Sequence, residues 1–250
     1  MPTIPAMSTI TTTIMTTSTD LGSSDLYRLL AWFSPSYPIG AFSYSHGLEY
    51  AVETGRVKTA LQLSDWIGHI LRHGAGWVDA VLLKEAHAAA SKGNGGDPAR
   101  LNDLCDLATA WRGTTEMALE SSQQGGSFVS VTRAAWGHPD LDAFAALRAD
   151  RPMPLCISIG VAAAAHRLDV AAVLAAYLHA FAANLVSAAV RLIPLGQTDG
   201  QRARHHAVDH RHQRIQRALA CPLEDCGTAA PMVDLTSMLH ETQYTRLFRS

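Results

Sequence analysis

The sequence predicts an all-α fold, a single-domain helical bundle of about ten helices. Three observations carry that expectation. Apolar residues recur at spacings of three and four in one segment after another, and short Gly/Pro/Ser breakers separate the segments. No stretch shows the strict alternation of a half-buried strand, and no internal repeat is present. One stretch, Leu168 to Gln201, reads as an unusually apolar helix around which the others can pack.

The elements follow in order. The opening residues, MPTIPAMSTITTTIMTTSTD, are rich in Thr and Ser and lack both a basic start and a compact apolar run. They predict a disordered tail over residues 1–22, not a secretory signal. The helical domain is expected over 23–237. Ser23 or Ser24 caps a first helix with Leu26, Leu29, Leu30 and Phe33 as its stripe. Pro35, Pro38 and Gly40 make a loop of Ser34 to Gly40, and helix resumes at Phe42 or Ser43 until Gly55. Thr59 caps an amphipathic helix over Leu61 to Arg72, and Trp77 to Ala90 is the next. Ser91 to Ala99 is a Gly-rich surface loop. Helices are then expected over Ala99 to Trp111, Thr115 to Gln124 and Phe128 to Ala135, with Gly125-Gly126 breaking the last two apart. A short helix over Leu141 to Ala149 and an Ala-rich one over Leu155 to Arg167 lead into the central helix.

That helix carries Val173, Leu174, Tyr177, Leu178, Phe181, Leu185 and Val186 at helical spacing, with alanines around them. Val170 to Val190 bears no formal charge and is long enough to cross a bilayer. Its alanine content, the interruptions at His179, Asn184 and Ser187, and the lack of a second such span favour a buried helix. A Pro/Gly knuckle follows and carries Gln197, Thr198, Asp199 and Gln201. Gln201 to Ala220 has one basic side, Cys221 to Cys226 is an irregular link, and Val233 to Thr245 is the last helix. Residues 238–250 read as a C-terminal docking segment.

The 250 residues suffice for one large core, and a formal charge of −2 gives no global attraction to nucleic acid. Cys105, Cys156, Cys221 and Cys226 are scattered, which fits reduced thiols in a cytoplasmic setting. There is no G-x-x-x-x-G-K-[ST], no G-x-S-x-G, no H-E-x-x-H and no G-x-G-x-x-G. No nucleophile is paired with a base, so an enzyme is disfavoured and no catalytic residue, cofactor or metal ligand is assigned. Tyr37, Phe42, Tyr44 and His46 form an aromatic cluster that serves either core packing or a contact surface. His69/His73 and His206/His210 have the i, i+4 spacing of metal ligands, though most pairs so spaced are simply solvated surface residues. The basic side of 201–220 has no interleaved aromatics, so it suits an acidic partner better than single-stranded nucleic acid.

Three segments together resemble the UreF family of urease accessory proteins. They are SPSYPIGAFSYSHGLE from Ser34, NLVSAAVRLIPLGQTDGQ from Asn184, and MLHETQYTRLFRS from Met238. The resemblance spans Leu26 to Ser250, and over about residues 90 to 150 it is one of helical character only. It implies an all-helical homodimer with a non-enzymatic role in urease maturation, set between a UreD/UreH-like protein and a UreG-like GTPase in an assembly that delivers nickel to apo-urease. Carried onto matching positions, it implies partner contacts at Tyr37, Phe42, Tyr44 and His46, at Gln197, Asp199 and Gln201, and at Tyr244, Arg246, Leu247, Phe248 and Arg249. The last group is expected to order on binding, with Arg246 facing the GTPase. A direct nickel carrier and a helical enzyme with an unrecognised pocket are the rival readings.

Overall fold

A computed structural model describes residues 21–92, 96–208 and 211–250, without the side chain of residue 211. The expected N-terminal tail, apart from Leu21 and Gly22, and the second member of the His206/His210 pair therefore lie outside the described residues. Among the described residues the fold is all-α, with no strand. The α-helices are α1 (Ser23–Trp32), α2 (Leu48–Glu53), α3 (Ala60–His73), α4 (Ala75–Ala90), α5 (Pro98–Ala110), α6 (Thr115–Ala135), α7 (Pro139–Leu147), α8 (Leu155–Ala165), α9 (Val170–Leu192), α10 (Gln197–Ala207), α11 (Arg211–Ala220) and α12 (Pro231–His240).

Local chemistry starts several of them. The side chains of Thr59, Asp97, Thr114 and Asp169 each accept a hydrogen bond from a backbone N–H in the first turn of α3, α5, α6 and α9. The first helix has no such cap, since Gly22 rather than Ser23 or Ser24 stands at its N-cap.

The centre of the bundle is the pair α4 and α8. Cys156 to Ala163 of α8 are all buried, as are Val81, Leu82, Leu83 and Ala86 of α4. Gly160 lets the two backbones meet: a Cβ there would stand 2.7 Å from the Leu83 carbonyl and 2.8 Å from the Ala86 Cβ. The apolar α9 is the one described helix long and apolar enough to cross a membrane. It is instead a packed element of the bundle, with Val173, Leu174, Tyr177, Leu178, Leu185 and Val186 buried. Its other side, including Ala175, Ala176, Ala180 and Ala183, is only half-buried.

Several boundaries differ from those the sequence suggests. Gly125-Gly126 does not break a helix; α6 runs unbroken through both. A Cβ on Gly125 would lie 1.7 Å from the Met153 carbonyl oxygen, so this glycine permits a close approach and does not mark a turn. The stretch from Phe42 to Gly55 is not one helix either. A single 3-10 turn (Ala41–Ser43) is separated from α2 by His46 (φ 56°) and Gly47 (φ 74°), both left-handed. The knuckle is shorter than expected. Pro194 to Gly196 make the turn, and Gln197, Asp199 and Gln201 already lie in the first turns of α10. Asp199 suits that N-terminal turn electrostatically, and Gly200 fits it against Val186. Helix over 201–220 is divided between α10 and α11, and the final helix stops at His240 rather than Thr245.

The two adjacent glycines of α6 should therefore respond oppositely. Gly125→Ala is expected to destabilise by about 2 kcal/mol or more through overpacking. Gly126→Ala, with nothing within 4 Å of its added Cβ, should be neutral or stabilise by up to about 1 kcal/mol. Urea unfolding of the two variants beside the parent measures both.

Candidate functional site

The residues after His240 fold back on the body of the protein through a set of carboxylates, Glu49 and Glu116 buried and Glu120 half-buried. Glu49 comes from α2. Glu116 and Glu120 come from one face of α6, one turn apart. His240, at the end of α12, is fully buried between the first two. Its Nδ1 lies 2.7 Å from Glu116 Oε2 and its Nε2 lies 3.0 Å from Glu49 Oε2. Each ring nitrogen of His240 thus faces one carboxylate oxygen.

The tail binds the same acids. Arg246 donates to Glu116 Oε1 at 2.6 Å. The backbone N–H groups of Leu247 and Phe248 donate to the two oxygens of Glu49 at 2.7 and 3.0 Å. Beyond them the tail reaches the first loop. Arg249 N donates to Ser43 O at 2.8 Å, and Ser45 N donates to Ser250 O at 2.6 Å, joined there by the Ser45 hydroxyl. Ser250 Oγ donates to Glu120 Oε2 at 3.1 Å, and His46 Nδ1 lies 3.2 Å from the same oxygen. Arg191, near the end of α9, closes the arrangement. Its guanidinium stacks 4.4 Å over the buried Phe248 ring and donates to Phe42 O at 2.9 Å.

The expected site residues divide into groups. Tyr37, Tyr44 and His46 are buried and hold the loop in place. The Tyr37 hydroxyl meets Thr132 at 2.8 Å, and burial raises its pKa. The Tyr44 hydroxyl donates to Gln123 at 2.6 Å and its carbonyl accepts from Asn184 at 3.3 Å. Phe42 alone of that cluster is exposed, at 67%. In the tail, Tyr244 is fully exposed and Leu247 is 62% exposed, whereas Phe248 is buried. Gln197, Asp199 and Gln201 are not brought into this arrangement. The hydrogen bonds of Asp199 and Gln201 go to Arg202 and Arg204 of their own helix. It is Arg191, before the turn, that ties α9 to the loop and the tail.

Sequence reasoning missed Glu49, Glu116, Glu120, His240, Ser45 and Arg191. The one available signal was two acids a helical turn apart inside an otherwise uncharged stretch.

A second buried polar group lies deeper. Asp79 of α4 accepts from Arg112 at 2.5 Å and from the Tyr177 hydroxyl at 2.6 Å. Burial is the largest single influence on Arg112 and opposes its charge, but Asp79, Cys156 and Tyr177 together outweigh it and raise the pKa. Burial and Asp79 together push the Cys156 thiol well up, and burial carries Cys105 to about 12. These thiols are neutral packing groups, not nucleophiles. All four cysteines are free. No group of three or more metal-ligating side chains occurs among the described residues, and His69 and His73 simply stack their rings at 5.1 Å. A cavity of about 310 Å³ is lined by residues of α6, α9 and the first loop, with Asp79, Arg112 and Tyr177 of this network among them.

The family model for UreF matches residues 57–208. A urease accessory protein UreF of Granulibacter bethesdensis is 50% identical over 229 residues, covering 92% of this chain and 95% of the relative. UreF proteins of Rhodopseudomonas palustris strain BisA53 and Bradyrhizobium diazoefficiens are 46% and 42% identical, covering 94% and 95% of this chain and the whole of each relative. The chain belongs to the UreF family of urease accessory proteins. Members of the UreF family are not enzymes, which agrees with the neutral thiols and the paired acids of this UreF chain.

His240→Ala leaves two buried carboxylates facing each other. It is expected to cost about 3 kcal/mol or more and to make the bonds after Gln243 the first sites of limited proteolysis. Thermal melting and mass mapping of early cleavage products measure the two effects.

Proposed function

We propose that this UreF protein is a scaffold in urease maturation. It bridges a UreD/UreH-like protein and a UreG-like GTPase while nickel is inserted into apo-urease, and it acts as a homodimer in the cytoplasm. It contributes surfaces, and the GTPase contributes the nucleotide chemistry. The observation that carries this reading is an exposed apolar ridge beside the carboxylate clasp. Met232, Leu235, Met238 and Leu239 project from the outer side of α12, and Tyr244 and Leu247 extend the ridge along the tail. A contiguous apolar surface of this kind is what a partner covers. The clasp holds the ridge rigid before binding, which reduces the ordering cost of association. A smaller exposed set, Leu26, Tyr27 and Leu30 on α1 with Phe42 nearby in sequence, offers a second contact.

The rival nickel-carrier reading is weaker, because a chelating group of three or more ligands does not occur among the described residues. Arg246 as a contact to the GTPase needs one qualification of mechanism. Its guanidinium already pairs with Glu116, so reaching a phosphate requires that pair to open.

Two variants separate docking from stability. Leu235→Asp with Met238→Asp lies on the exposed ridge. It should leave the melting temperature within a few degrees while abolishing co-purification with the GTPase and UreD-like partners and urease activation; retained co-purification removes the ridge from the interface. Arg246→Ala should weaken the complex and alter GTP turnover, and unchanged values for both remove Arg246 from the site.

A further inference from the structure

The two contacts of His240 fix a proton count. Its Nδ1 and Nε2 lie 2.7 and 3.0 Å from oxygens of Glu116 and Glu49. A ring nitrogen and a carboxylate oxygen come this close with a proton between them, because two bare lone pairs repel. The two contacts therefore hold two protons. A neutral imidazole and two ionised acids bring only one. The second is an extra proton, and the count is the same whether the ring or an acid carries it.

The surroundings favour keeping that proton. Charge reaches His240 from each element packed against it. Glu49 comes from α2 and Glu116 from α6, both buried. The tail brings Arg246, 2.6 Å from Glu116. Two carboxylates thus face one fixed cation, and the extra proton makes the group neutral. Its loss would leave an uncompensated negative charge in a buried place, which is costly.

The other titratable groups nearby are answered elsewhere. Glu120, one turn along α6 from Glu116, meets His46 and the Ser250 hydroxyl. His46 makes that single carboxylate contact with the one proton a neutral ring already has. The Arg249 side chain bonds Tyr44. On α12 itself, burial holds Asp234 above the usual carboxylate range. Glu241, just past the helix end, accepts from the Thr115 N–H.

We propose that the clasp is a proton-dependent latch: the end of α12 and the tail dock on Glu49 and Glu116 with one proton taken from solution, and come away as the pH rises. His240, Arg246 and the Leu247 and Phe248 amides all grip the same two acids, so the two segments leave together. Once they are apart, water solvates the acids and the imidazole behaves as a free one. Below about pH 6.5 a free imidazole is protonated anyway, so closing takes up nothing. Above that value the closed form holds one proton more than the open form. The closed-to-open ratio then falls about tenfold per pH unit, until the closed form also gives up its proton. Leu239, Tyr244 and Leu247 of the apolar ridge stand on the two segments so held. That consequence for partners rests on the scaffold reading above, whereas the proton count does not.

The test uses the full chain without partners, so its failure is distinct from failure of the scaffold reading. Glu116→Gln is the decisive variant. Its amide can donate to one ring nitrogen and still accept from Arg246, so a neutral imidazole closes the clasp with no extra proton. Urea unfolding across about pH 7 to 8 should show the folded-to-unfolded ratio of the wild type falling about tenfold more per pH unit than that of Glu116→Gln. A fluorine label on the Phe248 ring, read by NMR without denaturant, should move from a buried towards a solvent-exposed signal between about pH 7 and 9 in the wild type only. Equal slopes in the two proteins overturn the inference, because a merely structural contact lowers stability without changing its pH dependence. So does a wild-type fluorine signal that stays buried throughout. If Glu116→Gln fails to fold, the wild-type fluorine signal decides alone.

Discussion

The arrangement of the molecule's working face depends on one buried imidazole. His240 has no exposed surface, and its two nitrogens face Glu116 and Glu49. Neither acid has other cationic support apart from Arg246, which the tail itself delivers to Glu116. Withdrawing His240 would leave carboxylates buried and facing each other, a costly state. The ends of α2, α6 and α12 and the last residues of the chain are therefore stable together. Once Glu49 is fixed, its oxygens orient the Leu247 and Phe248 amides. Phe248 then falls under Arg191, and the tail runs on to the first loop.

This construction suits a protein that works by presenting surfaces. Several of its inward polar groups are paired and hold shape: Asp79 with Arg112 and Tyr177, Glu120 with His46 and Ser250. Most of its large exposed apolar side chains lie on α12, the tail and α1. A flexible tail would lose ordering entropy on binding; a clasped one has lost it during folding. The central α4–α8 pair supplies the rigidity, because two backbones in contact at Gly160 leave little room for relative motion.

Much of the fold was legible in the residues. The period of three and four located nearly every helix, and Thr59 was read correctly as a cap. The errors share a cause. Gly125 read as a breaker because glycine weakens an isolated helix by roughly 1 kcal/mol; packing against Met153 overrides that preference. Gln197 to Gln201 read as a turn because Pro194 and Gly196 stand just before them, yet the chain needs only those residues to reverse. The aromatic cluster at 37–46 was visible, but its division into buried Tyr37, Tyr44 and His46 and exposed Phe42 was not, since ring types alone do not tell inside from outside.

The sequence by itself determined an all-α chain, the family motifs at the first loop, the end of α9 and the tail, and the absence of the common catalytic motifs. Helical period and long motifs are properties of neighbours in sequence, so they survive without coordinates. Only the tertiary structure decided that Glu49, Glu116 and His240 form one buried group, that residues of α9 line a cavity, and that Arg191 rather than Gln197, Asp199 or Gln201 ties the loop to the tail. Glu49 and His240 are 191 positions apart. No local preference encodes such a contact, because the low-dielectric surroundings that strengthen it exist only once the helices have met.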